Sequence, residues 1–498
     1  MSEAYLLTID QSTSGTKALV VSGSGQILSS SSMPHQQYYP SPGWVEHDAA
    51  EIYGNVLLCA GAAIDKAGIG SKQLSAVTIT NQRETALIWD KTTGEPVGPA
   101  IVWQCQRTFE MCEKLKESGF EPIVQAKSGL LLDPYFTAAK WRWLLDHTPC
   151  ADGKLAKGDW LAGTMDSWLL WKLSGGKVHA TDYTNASRTS LFNIHTLQWD
   201  QELCRLFGIP RELLPEVRPS DAVYGYTYGA APLVDGIPIA GVIGDSQAAL
   251  FGHLCLEEGS AKATYGTGTS VLMNTGFKPS ASKPGLVQAI AWGQGGTVTY
   301  AAEAIIRTSG DSMNWLRDNL GLFQSISELD ALLLQAPDNE GVYLVPAFVG
   351  LGAPYWQPDA RAAIVGMSRG TGKAHIARAA MESIAYQVKD AIDLLQHATA
   401  IQLSELRVDG GASSNGILMQ FQSDLLHIEV KRAGAAELSA LGSAYMGGLA
   451  VGIWSSLDDL RRIAEQGTSF LPAMDPADRQ RHYSGWKKAV ESVIGSQL

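Results

Sequence analysis

The chain has 498 residues, which at roughly 100–200 residues per domain predicts two or three domains. Its hydrophobic content of 45% and charged content of 18% are typical of a globular protein with a large core. The formal net charge of −12 argues against nucleic-acid and membrane partners, because such surfaces need a basic patch to neutralise phosphates. A small phosphate ligand stays compatible, since backbone N–H groups and one or two cations suffice to bind it.

The sequence also predicts a cytoplasmic location. The N-terminus enters an apolar strand, Leu6–Ile9, without the features of a signal peptide. The longest uncharged stretch, 438–457, is rich in Gly, Ala and Ser, which favours a buried helix over a membrane span. No Cys-x-x-Cys pair occurs among the six cysteines, so we expect reduced thiols rather than zinc or disulfides; they are Cys59, Cys105, Cys112, Cys150, Cys204 and Cys255.

The first predicted element is a hairpin over residues 5–27. Strand Leu6–Ile9 leads into a turn of small residues that opens with Asp10, and strand Ala18–Val21 follows. A carboxylate at this point can hold Mg²⁺ directly or through water, while the hydroxyls and amides of the turn face phosphate oxygens. An exposed Asx turn is the alternative interpretation of Asp10.

A second strand, Leu74–Thr80, ends in five polar residues that include Arg83 and Glu84. Ligands of α/β proteins bind at the carboxyl ends of strands. The arginine supplies donors and the glutamate an acceptor, which suits adjacent hydroxyls of a substrate. A solvated loop with a local ion pair is the alternative.

Asp245 stands between an apolar strand near Ile237–Ile243 and a helix predicted to end near His253. A carboxylate at such a junction can be the general base for a substrate hydroxyl. It can equally cap the helix, and the pattern alone leaves both open.

Two further turns of Gly, Ser and Thr follow apolar strands, at Gly266–Ser270 and Gly410–Asn415. Together with the turn after Asp10 they predict a nucleotide cleft, because such turns present backbone N–H groups to phosphates. The repeated strand–turn–strand pattern indicates an internal duplication, with domains at 1–250 and 251–498. A helix over 376–395 and the alternation of strands with helices predict an α/β fold with largely parallel pairing.

Several long strings resemble the FGGY carbohydrate kinases, and within them the glycerol kinases, nearly from end to end. The strings are Pro42–Asp48, Ile79–Thr85, Ala100–Gln104, Asp133–Phe136, Thr181–Arg188, Leu191–His195, Gly350–Trp356, Arg407–Ala412 and Met419–Asp424. The resemblance implies duplicated ribonuclease-H/actin-like α/β domains with a nucleotide cleft between them. It also implies an ATP-dependent kinase that uses Mg²⁺, and it leaves a homodimer or homotetramer open.

The same resemblance implies roles for individual residues. Asp10 and Asp245 would lie near Mg²⁺, and Asp245 would be the catalytic base. The nucleotide would be held by Thr13, Ser14, Lys17, Thr267, Gly310, Asn314, Gly411 and Asn415. The polyol would be held by Arg83, Glu84, Trp103, Tyr135 and Asp245, with Trp103 forming a wall against its carbon chain.

Two departures from the glycerol-kinase pattern lie in the implied polyol site. Ser246 stands where a glutamine is expected, and Ser270 where a phenylalanine is expected. Both changes remove bulk, so the acceptor is predicted to be glycerol or a slightly longer polyol such as a tetritol. A ketopentose or other open-chain sugar is the alternative acceptor, and a sugar-independent ATPase on the same fold is the rival from another functional class.

Overall fold

The structure is a computed structural model that describes residues 4–149, 151–280, 286–357 and 359–495. Its strands are β1 (Tyr5–Gln11), β2 (Gly15–Ser22), β3 (Ile27–Pro34), β4 (Glu46–His47), β5 (Leu74–Asn81), β6 (Leu87–Asp90), β7 (Ala100–Ile101), β8 (Trp160–Gly163), β9 (Ala180–Asp182), β10 (Phe192–Asn193), β11 (Gln198–Trp199), β12 (Glu216–Arg218), β13 (Val223–Tyr226), β14 (Pro238–Gly244), β15 (Ser260–Tyr265), β16 (Thr269–Gly276), β17 (Val287–Gln294), β18 (Thr297–Ile306), β19 (Tyr343–Val345), β20 (Ala363–Val365), β21 (Glu405–Asp409), β22 (Val430–Arg432) and β23 (Thr468–Phe470).

The α-helices of the described residues alternate with these strands. They are α1 (Ala49–Ala67), α2 (Phe109–Glu117), α3 (Glu121–Ser128), α4 (Thr137–His147), α5 (Ala151–Lys157), α6 (Met165–Leu173), α7 (Tyr183–Ala186), α8 (Gln201–Phe207), α9 (Asp245–Gly252), α10 (Asp311–Asp318), α11 (Ile326–Gln335), α12 (Lys373–Thr399), α13 (Gly416–Leu426), α14 (Leu438–Ala450), α15 (Leu457–Ile463) and α16 (Pro476–Gly495).

The first half of the chain builds a six-stranded sheet in the order β13-β14-β5-β1-β2-β3. The predicted hairpin is its centre: β1 pairs antiparallel with β2, and Asp10 lies directly opposite Lys17. β1 and β14 pair parallel with β5, so their carboxyl ends meet at one edge of the sheet. Asp10, Arg83 and Asp245 are brought to that edge because each lies at or just after one of these strand ends.

The second half repeats this arrangement in a seven-stranded sheet of order β17-β18-β16-β15-β21-β22-β23. The hairpin β15–β16 is antiparallel, and β15, β21 and β22 run parallel. The strand order β3-β2-β1-β5-β14 thus corresponds to β18-β16-β15-β21-β22, which confirms the predicted duplicated α/β fold. The expectation of largely parallel pairing is wrong, because each sheet has antiparallel hairpin strands on one side and a further antiparallel strand, β13 or β23, at the opposite edge.

Helix α14 lies in the second half of the sequence but packs on the first sheet, against β14, β5, β1 and α9. Its residues Ala440, Leu441 and Ala444 share one buried apolar cluster with Leu250 and other residues of α9. The backbones approach closely: a Cβ on Gly442 would strike the carbonyl of Ala248. The glycines and alanines of the uncharged stretch therefore serve close helix packing.

The predicted helices near Ser246–His253 and over 376–395 are present as α9 and α12, the latter extended at both ends. The described residues contain no helix with the length and apolarity of a membrane span. Cys59, Cys105, Cys112, Cys204 and Cys255 are buried free thiols, and Cys150 lies outside the described residues.

Candidate active site

The turn after β1 joins two predicted sites. Thr13 Oγ1 accepts a hydrogen bond of 2.9 Å from Trp103 Nε1, so a residue predicted to bind nucleotide holds a residue predicted to bind polyol. Ser14 is exposed on the same turn. Lys17 Nζ lies 2.6 Å from the carboxylate of Glu437, just before α14. This lysine therefore reaches across to the other half of the sequence instead of pointing freely into solvent.

The carboxyl group of Asp10, beside this turn, has an unusually high pKa. Burial is the main cause that raises the pKa of Asp10 to about 7, and the nearby carboxylates of Asp245 and Glu437 raise it further while Lys17 opposes them. A divalent cation would relieve this surplus of negative charge. Mg²⁺ uses few carboxylates and keeps waters and phosphate oxygens as ligands. Asp10 and Asp245 therefore fit a Mg²⁺ site, although the described residues contain no group of three or more ligating side chains.

We expect the substitution Asp10→Asn to stabilise the free protein while it lowers kinase activity. The native carboxyl binds protons up to about pH 7, whereas an unfolded aspartate releases them near pH 4. Its contribution to stability therefore falls as pH rises between these values and stays low above them. In thermal unfolding without Mg²⁺ or nucleotide, the variant should melt about 1–3 °C higher at pH 8, with a smaller gain at pH 5.5.

The control is the exposed Asp65→Asn on α1, which should leave the melting temperature unchanged at both pH values. A gain at Asp10 that is equal at both pH values, or a loss of stability, would contradict the assignment of the repulsion to this carboxylate.

Arg83 and Glu84 follow β5 and are both buried, so the alternative of a solvated loop is wrong. Glu84 has φ of 61°, a conformation that turns the chain sharply after the strand. Arg83 Nε lies 3.1 Å from Asp245 Oδ1. Glu84 Oε1 accepts a hydrogen bond of 2.5 Å from Arg188 Nε. Donors and an acceptor are thus fixed side by side at the end of the strand.

An aromatic wall borders these charges. The rings of Trp103 and Tyr135 lie 5.4 Å apart, tilted by 58°. Burial, followed by the negative charge of Glu84, raises the pKa of Tyr135, which keeps its hydroxyl protonated as a donor. Lys140 Nζ donates to the Tyr135 carbonyl at 2.5 Å and so fixes the backbone of this wall.

Asp245 is the first residue of α9, and Gly244 occupies the N-cap position. The alternative that Asp245 is the cap is therefore wrong in detail, although its Oδ1 accepts from the N–H of Ser246 at 2.6 Å. Its side chain is 36% exposed, so a substrate can reach the carboxylate. Ser246 is half-buried beside it. Ser270, on β16, donates from Oγ to Glu303 at 3.1 Å.

The second turn, between β15 and β16, is joined to the start of α10. The carbonyl of Thr267 accepts from the N–H of Ser309 at 2.8 Å, and the N–H of Gly310 donates to the carbonyl of Gly266 at 3.0 Å. A Cβ at position 310 would lie 2.6 Å from that carbonyl, so only glycine fits. Asn314 is exposed on α10. Thr267 and Gly310 are thus joined by the backbone, and Asn314 lies on the helix that follows.

The third turn follows β21. Gly410 has φ of 88° and packs on the backbone of Tyr265, whereas a Cβ at Gly411 would meet no atom within 4 Å. Gly411 therefore presents an open backbone, as a nucleotide requires. Asn415 is the N-cap of α13: its Oδ1 accepts from Leu418 N–H at 2.9 Å. Its amide also donates to Asp330 at 3.0 Å, so this side chain is committed within the protein.

Sequence reasoning missed Arg188 and Glu303. Both are buried, and both bind residues of the predicted polyol site. Arg188 ends one of the strings that resemble the family, but the resemblance implies no role for it. Glu303 is a lone charge in the apolar strand Thr297–Ile306, and a charge in such a position is a signal that could have found it, since buried carboxylates are rare unless paired.

Comparison with known proteins gives the same family as the resemblance of the sequence strings. The FGGY family of carbohydrate kinases matches with its N-terminal domain over residues 5–252 and with its C-terminal domain over residues 261–451. A glycerol kinase of Bacillus licheniformis is 49% identical over 491 residues, covering 99% of each chain. A glycerol kinase of Bacillus anthracis is 48% identical over 489 residues, covering 98% of this chain and 99% of the relative.

Solved structures of carbohydrate kinases share the fold of this chain. Plasmodium falciparum glycerol kinase with ADP superposes with a TM-score of 0.95 at 38% identity, covering 100% of this chain and 99% of that one. Gluconate kinase from Lactobacillus acidophilus shares the fold with a TM-score of 0.88 at 20% identity, covering 99% of both chains. These matches confirm the predicted kinase class and the predicted duplicated fold. The chain belongs to the FGGY family of carbohydrate kinases.

Proposed function

We propose that this kinase transfers a phosphoryl group from ATP to a terminal hydroxyl of a small polyol, either glycerol or a slightly longer polyol such as a tetritol. The observation that carries the proposal is the fixed row of Arg83, Glu84 and Asp245 beside the Trp103–Tyr135 wall. Such a row offers hydrogen bonds to adjacent hydroxyls and an apolar face to a short carbon chain. The names of the relatives, glycerol kinases at 48–49% identity, support the same substrate class.

ATP and Mg²⁺ are the proposed cofactors. The turns that carry Thr13, Thr267 and Gly411 would face the nucleotide, because each offers hydroxyls or open backbone at a strand end. Asp10 and Asp245 would hold Mg²⁺, which would neutralise charge on the phosphates. To reach a phosphate, Lys17 would have to break its ion pair with Glu437 or contact the phosphate and Glu437 at the same time.

Asp245 is proposed to accept the proton of the attacking hydroxyl. It is exposed enough to meet a substrate and is oriented by Arg83 on one side and by the N–H of Ser246 on the other. Arg83 and Glu84 would bind the remaining hydroxyls, and Tyr135 would add a neutral donor. The small side chains of Ser246 and Ser270 favour a longer acceptor and keep an open-chain ketopentose as the second candidate.

The test is a coupled assay of ADP release with glycerol, tetritols, pentitols and ketopentoses, each with and without Mg²⁺. Turnover that depends on a polyol and on Mg²⁺ supports the proposal. Turnover on ketopentoses alone would favour the second candidate. Steady ATP hydrolysis without any dependence on a sugar or polyol would contradict both and indicate an ATPase.

We propose that the chain divides into domains at 1–250 and 251–498, that it acts in the cytoplasm on dissolved substrates, and that it forms a homodimer or homotetramer. Light scattering of the full-length protein with and without ATP measures the oligomeric state directly.

A further inference from the structure

Glu303 reaches the candidate polyol site from the second sheet. It lies in β18 and is 1% exposed. Its Oε1 accepts from Arg83 Nη2 at 3.1 Å and from Ser270 Oγ at 3.1 Å. Its Oε2 lies 2.8 Å from Arg188 Nη1 in an ion pair. One carboxylate therefore joins two arginines of the first half to a strand of the second.

These contacts form a row of alternating charge in the order Glu84, Arg188, Glu303, Arg83 and Asp245. Glu84, Arg83 and Asp245 are the members of the row that are proposed to bind the acceptor, while the side chains of Arg188 and Glu303 are fully buried. A buried guanidinium needs carboxylates around it to offset the loss of water. Within the described residues, Glu303 is the member of the row that contacts both arginines.

The charge of Glu303 is constant under working conditions. Burial disfavours its charged form, but the guanidinium groups of Arg188 and Arg83 outweigh burial and lower the pKa of Glu303 to about 2. Arg83 is held further by Gln247, whose Oε1 accepts from Nη1 at 3.2 Å. The orientation of Arg83 relative to Asp245 is thus set by Gln247 and Glu303, which are not among the residues proposed to bind the acceptor.

We propose that Glu303 is a positioning residue for the acceptor, which orients Arg83 directly and Glu84 through Arg188, so that the acceptor's hydroxyls meet a preformed set of partners. The inference rests on the proposed function of the site. It makes acceptor recognition depend on a residue of the second sheet. Without the charge of Glu303, Arg83 would be balanced by Glu84 and Asp245, and Arg83 and Asp245 would shift from their places beside the acceptor.

The test measures kcat and KM separately for the acceptor and for ATP in the full chain carrying Glu303→Gln. A misplacement of about 1 Å in a reacting site costs about 100-fold. We therefore expect kcat/KM for the acceptor to fall by about 100-fold, while the Kd for ADP, measured by calorimetry, stays within about twofold of the wild-type value. The matched control is Glu382→Gln, a glutamate that is also 1% exposed and lies 3.5 Å from Arg378 on α12. It should fold and leave the KM for the acceptor unchanged.

Glu303→Asp is the second variant, because it keeps the buried charge but withdraws it by one methylene. It should fold even where Glu303→Gln does not, with about a 10-fold loss in kcat/KM for the acceptor and unchanged ADP binding. Wild-type constants in either folded variant, or equal losses for acceptor and ADP, would overturn the inference. Failure of the unmutated enzyme to phosphorylate any polyol or sugar would instead overturn the proposed function, so the two failures are distinguishable.

Discussion

Asp245→Asn is expected to lower kcat by about 10²–10⁴-fold, the range that loss of a general base typically costs. The asparagine keeps the shape of the side chain and can still accept from the N–H of Ser246, but it cannot take a proton from the attacking hydroxyl. It also removes the charge that faces Arg83 at 3.1 Å. The proposed nucleotide surface around Gly310 and Gly411 does not include Asp245, so ADP should still bind.

The measurement is steady-state turnover together with ADP binding by calorimetry. A matched control is Asp458→Asn, an acidic residue in the first turn of α15 that pairs with Arg461 at 2.7 Å. It should leave both quantities unchanged. If Asp245→Asn keeps more than about a tenth of the wild-type kcat, Asp245 is a structural residue of the helix start and the base must be sought elsewhere.

The second large effect concerns acceptor length. Ser246 is half-buried beside the base, and Ser270 directs its hydroxyl to Glu303, so neither fills the space that a longer side chain would occupy. In a longer acceptor, an added carbon that bears a hydroxyl would occupy that space. With glycerol bound, the same space would contain water. A methylene-sized contact is worth about 10–200-fold in kcat/KM. We expect a four- or five-carbon acceptor to exceed glycerol by a factor in this range.

Two double variants separate the effect of the added space on acceptor preference from the effect of the two serine hydroxyls. Ser246→Gln with Ser270→Phe fills the space and should reverse the preference toward glycerol. Ser246→Ala with Ser270→Ala keeps the space but removes both hydroxyls, so it should retain a preference for length with a lower kcat/KM. A wild-type enzyme that prefers glycerol outright would show that other side chains fill the pocket, and the acceptor would then simply be glycerol.

Local patterns predicted the framework of the fold. Alternating apolar residues placed the first hairpin and the helix after Asp245 within a few residues of their observed bounds. The turn was predicted to open at Asp10, but antiparallel pairing continues through Asp10 to Gln11, because Gln11 pairs with Thr16 across the hairpin. Strand ends depend on the partner strand, which a local pattern does not contain.

The site was predictable where its residues stand together in the sequence. Arg83 and Glu84 follow one strand, and their placement at its carboxyl end followed from the strand itself. Glu303 is 220 residues from Arg83 along the chain, and nothing near either residue specifies the other. The pairing of Lys17 with Glu437 is of the same kind. Contacts that arise from bringing two sheets together need the tertiary structure.

The position of α14 has a consequence for synthesis on the ribosome. This helix covers the first sheet and α9, yet it begins roughly 200 residues after α9 ends. At about 5–20 residues per second, translation of that interval takes about 10–40 s. During this time the nascent first half has strands but lacks the helix that shields one apolar face. The emerging chain therefore exposes this apolar face during that interval, and its first half completes folding only after nearly all of the second has been made.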